Sequence, residues 1–137
     1  DGEFIWAANA HSDSVTKFAT TGEMIGTFPV GDVPMDFAFD GENIWVANWR
    51  EDNVSKLTRD GEELGRFDVG GLPYGITFDG THIWTANSQD GTVSKLNLSG
   101  QVVATYPVGS APARLISVGD SIWVTNSSDD TLVKITP

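Results

Sequence analysis

The sequence predicts an all-β fold made of about three and a half copies of a 39-residue unit. Three observations carry this. Gly2, Gly41, Gly80 and Gly119 recur every 39 residues, as do Trp6, Trp45, Trp84 and Trp123. The same step links Asn9, Asn48, Asn87 and Asn126, and Lys17, Lys56, Lys95 and Lys134, without an insertion or deletion. Phe28, Phe67 and Tyr106 keep it, and so do Pro34, Pro73 and Pro112. Within each unit, short β-rich runs alternate with Gly, Pro and Asp turn signals. No stretch holds a 3.6-residue apolar period for three turns, so helix is unsupported.

The unit at 41–79 contains four strands. The first is NIWVAN (43–48), where Ile44 and Val46 share one face and Trp45 and Ala47 the other. A strand apolar on both faces is expected between two layers. The second is NVSKLT (53–58), followed by a turn at RDGE whose Gly61 permits positive φ. The third is ELGRFDV (63–69). Pro29 and Pro107 stand at its 68 position in other copies, and Pro cannot donate to a ladder, so this strand is expected at an outer edge. The fourth, YGITF (74–78), follows VGGLP, and Asp79-Gly80 then turns into the next copy.

Four strands per 39 residues, repeated, is the spacing of β-propeller blades. A parallel β-helix competes, but its coils are shorter and lack hairpin turns. The expected architecture is a β-propeller segment of four-stranded antiparallel blades. It forms one domain over 1–137, with repeats at 1–40, 41–79, 80–118 and a partial one at 119–137.

Eight Lys and Arg against 19 Asp and Glu give a net charge of −11. Such a field repels phosphate backbones and anionic lipid, so neither nucleic acid nor a membrane surface is expected as partner. No apolar run approaches the roughly 20 residues needed to span a bilayer, so no membrane insertion is expected. The absence of cysteine removes disulfides, thiolate catalysis and Cys-ligated zinc. The chain opens on Asp1 rather than Met and reads as a processed or excised piece.

With these residues in view, GENIWVANWREDNVSKLTRDGEELGRFDVGGLPYGITFDG resembles the YVTN-type repeat of bacterial and archaeal propellers. It is also similar to NHL and streptogramin-lyase-like propellers. IWVAN stands where YVTN stands, and SIWVTN at 121–126 is closer still. The resemblance implies that the strand after the Pro is innermost. The chain would then supply three, four, four and three strands, with open ends that associate. It implies as partners either copies of the chain or the rest of a longer propeller. It also implies an extracellular, periplasmic or cell-surface location. Streptogramin lyases use a His, an acidic residue and a divalent cation, and neither His11 nor His82 matches that motif, so no catalytic residue is carried over.

Ligands are expected at the channel mouth, where the AN and VGxxP segments meet. Trp49 has no aromatic counterpart at Ala10, Ser88 or Ser127, and it stands beside Arg50. An aromatic next to a guanidinium suits a planar, sugar or protein ligand. Asp36, Tyr74 and Arg114 vary where a core position would repeat, and they supply a negative charge, a hydroxyl and a cation. The four aligned Trp residues read as blade filler. The Lys column reads as a solvated strand edge, with Asp13, Asp52 and Asp130 near enough to pair. Glu51-Asp52 and Asp129-Asp130 are the best acidic pairs, but no calcium-loop, P-loop or dinucleotide motif is present, so no metal or cofactor is expected. The expected role is a non-enzymatic scaffold or binding module for a small-molecule, glycan or protein ligand. The alternatives are a streptogramin-lyase-like enzyme and a carbohydrate-binding propeller.

Overall fold

The computed structural model describes residues 2–137. It is all-β: fourteen strands form four antiparallel sheets. Blade 1 holds β1 (Phe4–Asn9), β2 (Ser14–Ala19) and β3 (Met24–Pro29). Blade 2 holds β4 (Pro34–Phe39), β5 (Asn43–Asn48), β6 (Asn53–Thr58) and β7 (Glu63–Asp68). Blade 3 holds β8 (Pro73–Phe78), β9 (Ile83–Asn87), β10 (Thr92–Leu96) and β11 (Val102–Pro107). Blade 4 holds β12 (Pro112–Val118), β13 (Ser121–Asn126) and β14 (Thr131–Ile135). Strand order follows chain order in every sheet, as hairpin-linked meanders require. The strand after each VGxxP segment is innermost: β4 packs beside β8, and β8 beside β12. Pro29 and Pro107 sit on the outer edge strands β3 and β11, where no further strand needs their missing N–H.

No blade owns a core; each core lies between two blades. Trp6, Val15 and Val30 of the first repeat meet Ile44, Val46 and Leu57 of blade 2. Trp45, Ala47 and Val54 meet Ile76, Ile83 and Leu96 of blade 3. Trp84, Ala86 and Val93 meet Leu115, Ile122, Val124 and Ile135 of blade 4. Trp45 and Trp84 are fully buried. Burying a side chain of that size removes about 150–250 Å² from water, roughly 4–6 kcal/mol at about 25 cal/mol per Å². The two-sided apolar pattern of the first strand in each repeat is therefore the cause of the stacking.

Two directional contacts lock adjacent blades, one polar and one steric. The lysine column is not a solvated edge at Lys17, Lys56 and Lys95, although Lys134 is exposed. Lys17 is buried, with its ammonium 3.8 Å from the Phe4 ring centroid and 5.6 Å from that of Trp6. It donates to the Arg59 carbonyl in the next blade's turn at 2.5 Å. Lys56 lies 4.9 Å from the Trp45 ring and donates to the Leu98 carbonyl at 2.8 Å. The stem covers the indole while the ammonium reaches across the gap, so one side chain serves both blades. The second contact is steric. Phe28 presses on Gly61 and Phe67 on Gly100, so closely that a Cβ on either glycine would overlap the ring. Glycine is needed there twice over, since both positions have φ of +89°.

The Asp-Gly hairpins add a third device within blades 2 and 3. The Trp45 indole N–H donates to Asp40 Oδ2 and the Trp84 indole N–H to Asp79 Oδ2, each at 2.7 Å. Partial burial pushes both carboxyls up. The indole and the backbone N–H groups of Asn43 and Glu42, or of His82 and Thr81, outweigh it, holding both below the usual 3.8.

Two outcomes are expected. Gly61→Ala introduces both backbone strain and a clash with Phe28, whereas Gly22→Ala, at φ +90° in open space, introduces strain alone. Urea unfolding should show about 1–2 kcal/mol lost for Gly22→Ala and clearly more for Gly61→Ala. Equal losses would mean that the ring contact contributes nothing. Because Asp40 and Asp79 are depressed in the folded state, their contribution is complete above 3.8 and drains as pH falls through the lowered folded values. The unfolding midpoint should drop in that acid window, and the double variant Asp40→Asn/Asp79→Asn should flatten the drop.

Candidate functional site

The inner strands depart from regular pairing at their first residues. The ladder between β4 and β5 shifts between Pro34 and Asp36, that of β8 with β9 between Pro73 and Ile76, and that of β12 with β13 between Pro112 and Leu115. Such irregularities release side chains from the pleat and re-aim them. Asp36, Tyr74 and Arg114, singled out because they vary between copies, lie at these irregularities.

The structure brings the three together across three blades. Arg114 Nη1 lies 2.7 Å from Asp36 Oδ2, and its guanidinium stands 5.1 Å from the Tyr74 ring centroid. Asp36 Oδ2 also accepts from the Ile76 N–H at 3.3 Å. The inner strands approach closely because Gly75 faces the Ala113 carbonyl, where a Cβ would collide. The Arg114 side chain is 55% exposed and that of Asp36 28%. A pair this wet adds only about 0–1 kcal/mol to stability. Its polar groups remain available to solvent or a ligand.

Trp49 joins this group. Its N–H donates to the Val33 carbonyl at 3.0 Å, which ties the segment after β5 to the VGxxP loop of the same blade. Ser88 and Ser127 make the same bond to Leu72 and Ala111. A cavity of about 580 Å³ is lined by Trp49, Leu72, Tyr74, Ser88, Gln89 and Arg114, among others. Arg50 is not part of it. Its guanidinium stands 5.9 Å from the Trp49 ring but lines a neighbouring cleft of about 290 Å³ with His11, Asp13 and Asp32. There partial burial and the adjacent Asp13 carboxylate push the Asp32 carboxyl up.

The acidic residues flanking the mouth hold loops. Asp13 Oδ1 accepts from the Val33 N–H at 3.0 Å, and Asp52 Oδ1 from the Leu72 N–H at 2.8 Å. Asp90 and Asp129 accept from Gly71 and Ser110. Asp13 and Asp52 therefore bind backbone, not the lysine column. Val33, Leu72 and Ala111 sit at φ of 55°, 53° and 50°, a strained region for residues with a Cβ, and all three line cavities at the mouth. Glu51 is engaged by Arg66 at 3.0 Å. Among the described residues, no group of three or more His, Asp or Glu is placed to hold a metal ion. Sequence reasoning missed the Asn column. Asn48 donates to Asn53 and Ser55, and Asn87 to Thr92 and Ser94, at 2.8–3.0 Å, beneath Gly31 and Gly70 of the VGxxP loops. The signal was present as an invariant 39-residue step, but it was read only as periodicity.

No family model matches the sequence, and no curated protein matches it significantly. Solved structures do match. The hydrazine synthase of Kuenenia stuttgartiensis superposes with a TM-score of 0.79 at 22% identity, over 99% of this chain and 47% of that one. A catalytically inactive virginiamycin B lyase from Staphylococcus aureus with quinupristin superposes with a TM-score of 0.88 at 16% identity, over 100% of this chain and 49% of that one. The computationally designed Ika4 protein gives a TM-score of 0.84 at 14% identity, over 98% and 85%. The chain thus spans about half the length of the first two. At such identities the likeness establishes a shared β-propeller-like fold, found in propellers of several kinds.

Proposed function

We propose that this chain is a non-enzymatic binding module, built on a YVTN- or NHL-like propeller repeat and working outside the cytoplasm. Its ligand-binding residues are Trp49, Tyr74, Arg114 and Asp36, with Arg50 at the rim. The observation that supports this most is the cavity at the mouth. Two aromatic rings, a half-exposed guanidinium and the side chains of Ser88, Gln89 and Ser127 line it, and the Asp36 carboxylate bridges to that guanidinium. A repeat scaffold has no structural need for Trp49, since Ser88 and Ser127 serve the same backbone bond. Flat aromatic faces with flanking hydrogen-bonding groups suit the alternating C–H and O–H surfaces of a glycan. The resemblance to repeats of exported propellers supports the location.

Binding to an oligosaccharide array, followed by titration of the best hit, tests the reading. Trp49→Ala and Tyr74→Ala should each weaken binding about tenfold or more, while Thr21→Ala, in a distant turn, should leave it unchanged. Arg114→Ala should weaken binding with a melting temperature within a few degrees of the parent, because the exposed pair stabilises little. Binding that survives Trp49→Ala would contradict the site. Turnover of a streptogramin-type cyclic depsipeptide would contradict the non-enzymatic reading.

A further inference from the structure

Each of the three blade interfaces has two unlike halves. One is the Trp-bearing face, as in Trp45, Ala47 and Val54; the other is the Ile-bearing face, as in Ile83 and Leu96. Both halves also occur uncovered. Blade 4 turns its Trp face outward: Trp123, Ile116, Val118 and Leu132 surround an apolar cavity of about 470 Å³. Blade 1 turns its Ile face outward, with Ile5 53% exposed and Phe18 half-buried in the positions of Ile44 and Leu57. We propose that the Trp123 face binds the Ile5 face of a second copy of this chain, head to tail, so that two copies close a ring with two identical contacts. This goes beyond the ligand reading and does not depend on it.

The polar lock points to the same occupant. Lys17 and Lys56 each lie over their own Trp and donate to a carbonyl in the next blade's turn. Lys134 lies over Trp123 at 5.7 Å but is exposed, with no next-blade turn before it. The position that matches Arg59 and Leu98 in blade 1 is Thr20, whose carbonyl in a second copy is the corresponding acceptor. The face is also more apolar than its internal counterparts. Ile116 replaces Ala38 and Thr77, Val118 replaces Asp40 and Asp79, and Leu132 replaces Val54 and Val93. Among the described residues, blade 1 has no inner strand to set opposite β12, and the added bulk of Ile116 and Val118 lies on that side. The chain covers 47% and 49% of the hydrazine synthase and virginiamycin B lyase chains, so two copies supply about one such length. A head-to-tail contact forms a closed assembly when its rotation closes, and otherwise a fibre.

Sedimentation velocity over a concentration series, in about 0.15 M salt to screen the acidic surfaces, tests this. The parent should sediment as a dimer, twice the 14.7 kDa of one chain. Ile5→Asp and Leu132→Asp change exposed positions on opposite faces, so each alone should yield a folded monomer by circular dichroism. Mixing the two variants should restore a dimer, because one of its two contacts then joins unaltered faces. Should either carboxylate perturb its sheet, Ile5→Ser and Lys134→Met repeat the two arms. A monomeric parent would overturn the proposal. So would a dimer that only one variant dissolves, which would mean like-with-like pairing, a dimer indifferent to both, or an open-ended series of higher species.

Discussion

A four-stranded sheet that is apolar on both faces cannot shelter itself from water. Every other feature of this molecule follows from that constraint. Ile44 and Val46 face one way and Trp45 and Ala47 the other, so blade 2 must be covered on both sides, and blades 1 and 3 cover it. Area burial is non-directional and would tolerate slippage. Registration comes from the contacts between blades that do have direction: lysine to turn carbonyl and phenylalanine ring to turn glycine. Hydrophobic burial holds the blades together, and these contacts fix how they sit.

Stacking in turn makes the mouth. Because the inner strands run side by side at close range, residues from three blades meet there: Asp36 from β4, Tyr74 from β8 and Arg114 from β12. The loops above them are clamped by Asp13, Asp52, Asp90 and Asp129 on backbone N–H groups. A rigid rim with variable side chains is what a repeat scaffold offers for recognition. Variation at positions 74 and 114 is tolerated because the irregular pairing there frees the side chains from the ladder, and Asp36 is the first paired residue after the corresponding irregularity in β4.

Much of this was legible in the sequence because the repeat is exact in length. Strand bounds such as 43–48 and 53–58, the edge position of Pro29 and Pro107, and the innermost place of the strand after VGxxP all agree with the structure. What was not legible involves two repeats at once. Lys17 looks like a surface residue in one copy, and only the next blade's turn supplies its carbonyl partner. Gly61 looks like an ordinary turn glycine, and only stacking places the Phe28 ring against it. The aspartates before β2 and β6 were read as counter-ions, because a single strand does not reveal the loop N–H groups that come to face them. At the site, the grouping of Asp36, Tyr74 and Arg114 at the mouth was expected, but the direct bridge between the first and the last was not.

The account stands or falls on whether a blade can exist by itself. Circular dichroism and amide hydrogen exchange on the excised blade 73–107, compared with the pair 34–107, test this most directly. The account predicts that the single blade is unfolded and exchanges at once, while the pair, with one interface restored, folds and protects β5 and β9. A single blade that folds cooperatively with protected amides would contradict it.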